Sequence, residues 1–198
     1  MKKKIVVLLF AVLALGLVAC GKSENGSETG SASAESSEAP AVVIADALEI
    51  LNTVWANYEE ADKFPVGGGD SANLNFEGPG KFDAANTAEL DVTLGFPEAQ
   101  AANIDDAASM MNAMMANNFT AGVYHVVEGA DVQAIADALK ENILNRQWMC
   151  GMPEKMVVIA VDDYVISAFG LGDLIDTFRT ELQEAYEIAE VLYEESIS

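Results

Sequence analysis

The chain has one histidine, His125, and two cysteines, Cys20 and Cys150. One histidine cannot furnish a His-rich metal centre, and there is no nucleophile elbow for it to serve in a Ser-His-Asp set. Basic residues are scarce as well: ten Lys and Arg stand against 32 Asp and Glu, a net charge of −22. That balance excludes nucleic acid as a partner and electrostatic adhesion to anionic lipid headgroups. Long apolar runs are limited to Ile5–Val18, which is too short for a comfortable transmembrane helix but suits the core of an export signal.

That run follows Lys2, Lys3 and Lys4 and ends in Leu17-Val18-Ala19-Cys20. A basic start, an apolar centre and a small residue before Cys make up a bacterial lipobox. Cys20 is therefore expected to receive a diacylglycerol and become the new N-terminus, anchoring the protein on the outer face of the cell membrane. Removing residues 1–19 takes away three lysines and no acids, leaving 7 basic against 32 acidic side chains and a net charge of −25. So acidic a surface favours solubility and repulsion from a negatively charged envelope. With Cys20 lipidated, Cys150 stands alone and no intramolecular disulfide can form, although export would permit one.

Residues 20–41 are rich in Ser, Glu, Gly and Ala, without a large apolar side chain. Such a segment buries too little to offset its ordering entropy and should act as a flexible tether. Residues 42–198 are expected to form one globular α+β domain, since roughly 155 residues suffice for a single core.

Val43, Ala47, Ile50, Leu51, Val54, Trp55 and Tyr58 recur at helical spacing, predicting an amphipathic helix from Val42 to about Glu60. A loop rich in Gly, Pro, Asn and Asp follows, FPVGGGDSANLNFEGPGKF. Asn86 with Glu89 suggests a capping box for a short helix ending before Gly95. Pro97 and Asp105 suit two further helix starts, the second helix carrying Met110, Met111, Met114 and Met115 to about Asn117. Beyond it, Phe119–Val127 reads as a strand and Val132–Ile143 as a helix capped by Asp131. Met156–Val161 and Tyr164–Phe169 read as a hairpin turning at Asp162-Asp163. Leu174–Tyr186 is a helix and Glu190–Glu194 a weak last strand. From about residue 119 to 195 the order is β-α-β-β-α-β, the ferredoxin-like split βαβ, with additional N-terminal helices packed on one face of the sheet.

The candidate chemistry is thin. WMCGMPEK lacks the second cysteine of a thioredoxin-type pair and follows a helix where such a site precedes one. Strand alternation puts His125 with Phe119, Val123 and Val127, so it reads as a packed or edge imidazole, and pairing it with Cys150 as nucleophile is the weaker reading. Cys150 is expected to be a buried, inert thiol. Soft thioethers suit Cu(I), but the methionines are expected to fill the core, because Met-x-Met and His-rich runs are missing. VGGGDSAN lacks the Lys and Ser/Thr of a phosphate loop. DDAAS and VDDYV fit helix capping and a hairpin turn better than a calcium loop. Nothing calls for a cofactor.

LNTVWANYEEADKFPVGGGD, LGFP, MNAMMANNFTAGVYHV and NILNRQWMCGMPEKMVVIAV together resemble a family of small lipoproteins of clostridia-type bacteria that often carry the label bacteriocin transport accessory protein. The resemblance covers roughly residues 45–195 and carries over one functional residue, the lipidated Cys20. Thioredoxin-type accessory proteins use a Cys-x-x-Cys pair, from which WMCGMPEK departs. The expectation is a non-catalytic lipoprotein that binds an envelope or exporter partner. The alternatives are a thiol-dependent redox accessory protein using Cys150 and a Met-rich metal-binding lipoprotein.

Overall fold

Every core strand is buried on two faces, and the helices divide between those faces. The structure is a computed structural model that describes residues 43–114, 118–149 and 151–197. The signal, the tether, Cys20, Met115 and Cys150 lie outside the described residues.

Helix α1 (Ala47–Asn57) begins where the side chain of Asp46 accepts the Glu49 N–H, and it buries Ala47, Ile50, Leu51 and Val54. Val43, counted on the helix from its spacing, precedes this cap and is 87% exposed. Two short strands, β1 (Val66–Gly67) and β2 (Gly80–Phe82), close the glycine-rich loop against β3 (Ile104–Asn112). Between them the buried carboxylate of Asp70 accepts the N–H groups of Ala72, Asn73 and Asp83, which makes VGGGDSAN a polar turn. At α2 (Thr87–Glu89) half of the expected capping box forms: the Asn86 side chain accepts the Glu89 N–H, while the Asn86 backbone N–H goes to the Asp83 carbonyl and Glu89 accepts from the Asn86 side chain. α2 runs into a π turn, Leu90–Leu94, stopped by left-handed Gly95. A 3-10 turn, Glu98–Asn103, leads into β3.

The predicted helix from Asp105 to Asn117 is a correction: Ile104–Asn112 is a strand. Its small residues decide this, since Ala107, Ala108 and Ser109 are fully buried between two layers where larger side chains would not fit.

The remaining elements match their sequence patterns: β4 (Phe119–Val126), α3 (Val132–Leu144), β5 (Lys155–Val161), β6 (Tyr164–Gly170), α4 (Gly172–Ala185) and β7 (Glu190–Ser196). Their strands and β3 are all antiparallel, in the order β1-β3-β4-β6-β5-β7, with β2 also beside β3. The class is α+β with a seven-stranded open sheet. A ferredoxin-like plan would bring the last strand back beside β4. Here β3 holds that place, and β7 pairs with β5 at the opposite edge. The N-terminal part thus supplies three strands as well as helices.

Helices on a single face is the second correction. α1 and α4 cover one face, over Met110, Val123, Ile159 and Ile166. α3 and the Leu90–Leu94 turn cover the other, over Tyr124, Val158, Val165 and Phe169. Every residue of β6 is buried, which explains its continuous apolar run. With each large buried side chain worth about 1.5–3 kcal/mol, this double core needs no disulfide.

Candidate functional site

Because all neighbouring strands are antiparallel, the sheet has two ends that differ in chemistry. At one end lie the start of β3, the end of β4 and the β5–β6 turn. At the other lie the end of β3, the start of β4 and the segment between α3 and β5.

At the first end His125, next to last on β4, stands opposite Asp106 on β3 and Tyr164 on β6. Its Nδ1 bonds the Asp105 carboxylate, and its Nε2 lies 3.1 Å from Asp163 Oδ2. The bond to Asp105 raises the imidazole pKa most; partial burial opposes it, and the bond to Asp163 adds to the rise. A protonated ring donating both N–H groups to carboxylates has no lone pair left to act as a base or a metal ligand. Asp106 Oδ2 accepts the Ala47 N–H at 2.8 Å, fixing the start of α1, and Asp46 pairs with Lys81 at 3.1 Å. The cleft here, about 340 Å³, is bordered by groups that already bond one another. DDAAS and VDDYV thus serve a common purpose, holding His125. DDAAS does so from a strand and not as a helix cap.

The second end is built differently. After α3, Arg146 folds back so that Nη1 donates to the Asp91 carbonyl at 3.2 Å, which also accepts the Gly95 N–H, and Nη2 donates to the Val92 carbonyl near the end of the π turn. Its guanidinium lies 5.1 Å from the ring of Trp148, which in turn packs on Phe169 at 5.2 Å. Asn118 Nδ2 donates to the Gly151 carbonyl, tying this segment to the start of β4. Between them opens a cleft of about 250 Å³, lined by Val92, Met111, Met114, Phe119, Trp148 and Phe169 among others.

Two features set this cleft apart. Large apolar side chains are exposed on its wall, Val92 by 68% and Met114 by 50%, and next in sequence to its wall residues Trp148 and Gly151 stand exposed Met149 and Met152. Two buried donors, Trp148 Nε1 and Asn112 Nδ2, have no partner among the described residues. Asn112 Oδ1 is occupied by the Met114 N–H at 2.9 Å, so only its donor side is open. Two more orphaned atoms, Tyr58 Oη and Arg179 Nε, sit under α1 and in an ion-pair network with Glu194. Asn112 also lines a second cleft of about 470 Å³, with Asp62, Phe64, Asp173 and Leu174 on its walls.

The methionines therefore do not share one fate. Met110 and Met156 are fully buried as expected, whereas Met114, Met149 and Met152 are not core residues. The sequence pattern missed this because the four-residue spacing that implied a buried helical stripe falls on a strand and the loop after it. Cys150, the partner of His125 in the weaker nucleophilic reading, lies outside the described residues; the next residue, Gly151, bonds Asn118 at the start of β4, and His125 lies seven residues further along that strand. Lys155 bonds Asp176, which directs its charge toward α4. Among the described residues no group of three or more His, Cys, Asp or Glu could hold a metal ion, and no helix is long and apolar enough to cross a membrane.

No family model matches the chain, and neither does any curated protein or solved structure.

Proposed function

We propose that the chain is a lipid-anchored lipoprotein on the outer face of the membrane, held through Cys20, whose domain binds a partner in an envelope or export assembly without catalysing a reaction. One observation carries the binding role: the cleft beside Trp148 combines exposed Met114 and Val92 with two buried N–H donors that the described residues leave unpaired. A buried donor without an acceptor costs about 1–3 kcal/mol, and a ligand bringing oxygen acceptors would recover that. Methionine suits such a surface because its flexible, polarizable side chain repacks against varied partners. The resemblance to small lipoproteins labelled as transport accessories agrees with a non-catalytic role.

The test is site-specific photo-crosslinking in the bacterium that makes the protein, with a benzophenone side chain at Val92 or Met114 and, for comparison, at Asn52 or Asp162. Adducts confined to the first pair, and lost on Trp148→Ala, are the expected result. Equal adducts from all four positions, or none, would contradict the assignment. The anchor is tested separately: fatty-acid labelling should mark the wild type and not Cys20→Ala.

Exposed Met114 beside Met111 in the same cleft favours one further reading, a soft-metal site. Competition with a Cu(I) chelator tests it. Stoichiometric binding abolished by Met111→Leu with Met114→Leu would establish the metal site, and no uptake would dismiss it.

A further inference from the structure

We infer that the loop between β1 and β2 is a membrane-contact site, whose Leu74 and Phe76 insert into the apolar boundary of the bilayer that carries the Cys20 anchor. This rests on the lipid-anchor reading and adds to it the face of the domain that lies on the lipid.

Phe76 is 77% exposed and Leu74, two residues before it, 54%. Single exposed apolar side chains are ordinary on a protein surface. This pair differs because the backbone beneath it is clamped. Gly68 and Asn75 exchange two N–H to carbonyl bonds of 2.8 Å. The Asn75 side chain donates to the Pro79 carbonyl at 2.9 Å and accepts the Glu77 N–H at 3.1 Å. On the β3 side, the Gly69 N–H reaches Ser109 Oγ at 2.8 Å, and a Cβ at Gly68 would lie 2.3 Å from the Ser109 carbonyl oxygen. Asn75 is thus committed to the loop, and its two apolar neighbours are left outside. A backbone fixed in advance presents them without losing further chain entropy on contact.

The position of the loop selects a bilayer as its occupant. Residues 21–42 join the domain to Cys20, so at no more than about 3.6 Å per residue the domain stays within roughly 80 Å of the anchor. Confinement of that kind gives an effective concentration on the order of millimolar, enough to hold two side chains that would insert weakly alone. The chain also enters the domain on the loop's side of the sheet. Asp46, just before α1, pairs with Lys81 at 3.1 Å, and Lys81 belongs to the strand that closes the loop. Charge does not oppose the approach: residues 63–82 set Lys63 and Lys81 against Asp70 and Glu77, a net of zero in a mature chain of −25. Exposed acids further off than a Debye length, about 8 Å at physiological salt, are largely screened. A fluid interface takes protruding side chains without shape complementarity, and Phe and Leu are side chains that bury at its headgroup–acyl boundary.

The experiment uses the full lipidated chain in phosphatidylcholine nanodiscs, with and without phosphatidylcholine bearing a nitroxide high on one acyl chain. Carbon-13 methyl spectra follow Leu74, nearby Ala72, buried Leu139 and Ile188, which is exposed between α4 and β7 at the opposite edge of the sheet. An inserted methyl lies about 5–10 Å into the boundary, so Leu74 should lose at least about threefold in intensity with the nitroxide lipid, while Ile188 and Leu139 keep theirs. In Leu74→Ser with Phe76→Ser, Ala72 should regain its intensity, with the thermal midpoint unmoved because both side chains are exposed. A chain that co-elutes with the discs while Leu74 keeps its intensity would overturn the membrane contact and leave the anchor standing. Equal losses at Leu74 and Ile188 would overturn it too, because the domain would then prefer no face. Leu74 signals that respond to protein concentration and not to the nitroxide would give the loop to a second copy and overturn it. Failure of the chain to co-elute with the discs would sink the anchor and this inference together.

Discussion

At the His125 end of the sheet the polar groups answer one another, and at the Trp148 end two buried donors are left without an acceptor among the described residues. His125 is clasped by Asp105 and Asp163, Asp106 holds the first N–H of α1, and Asp46 holds Lys81. The acids concentrated there close the fold. At the Trp148 end, donors are left over and methionines face solvent around an open cleft. Charge density on its own would have selected the His125 end, since the His–Asp cluster resembles an active site until its hydrogen bonds are followed. Unsatisfied groups together with exposed apolar surface are the better guide to where a second molecule belongs.

The comparison assumes a rigid sheet between the ends, and Gly122 is the point at which to break it. A Cβ there would come within 2.1 Å of the hydroxyl of fully buried Tyr124. Gly122→Ala should cost about 3 kcal/mol by overpacking and lower the thermal midpoint, with both ends loosening together in hydrogen exchange. Protection lost at one end only would show that the two are not carried on one platform.

A smaller effect is expected from His125→Gln. Loss of two bonds to carboxylates at a partly exposed site should cost about 1–2 kcal/mol. Its pH dependence follows from the raised imidazole pKa. The stabilisation is complete below the unfolded value near ~6.5 and is lost as pH rises through the higher folded value. Denaturant titrations should therefore separate wild type and variant most at pH 6 and least at alkaline pH, with photo-crosslinking from Val92 and Met114 unchanged. A gap that widens with pH would contradict a charged, structural His125.

The smallest effect on stability is expected at the proposed binding end. Val92→Ser and Met114→Ser remove exposed apolar atoms and should change unfolding free energy by less than about 0.5 kcal/mol each. A loss of 2 kcal/mol or more would mean these side chains are core after all, and the contrast between the ends would fail.

Much of the fold was legible because its elements follow simple periods. The Ile135–Leu139–Ile143 stripe and Asp131 cap of α3 and the β-branched runs of β5 and β6 matched their sequence patterns. Strand β3 did not, because Asp105, Ala107, Ala108, Met110 and Met111 combine a helix-starting acid with helix-favouring residues, and only burial between two layers makes it a strand. That misreading also hid the site, since the methionines could not be assigned an exposed position until the strand was known to end at Asn112. His125 was placed on its strand face correctly. Its two carboxylates come from neighbouring strands and a turn, and only the register of β3, β4 and β6 brings them together.

The central claim is that partners bind at the Trp148 end and not at the His125 end, and the methionines can report on both surface and core. With carbon-13 in the methionine methyl groups, Met114 and Met152 are surface reporters, while buried Met110 and Met156 serve as internal references. The lipidated protein in phosphatidylcholine nanodiscs would be titrated with an end-blocked leucine-serine octapeptide while the His125 ring protons are followed. Saturable shifts of the Met111 and Met114 methyls, with Met110, Met156 and the His125 ring unmoved, are the predicted result. Shifts confined to the His125 ring, with the Met111 and Met114 methyls unmoved, would contradict it.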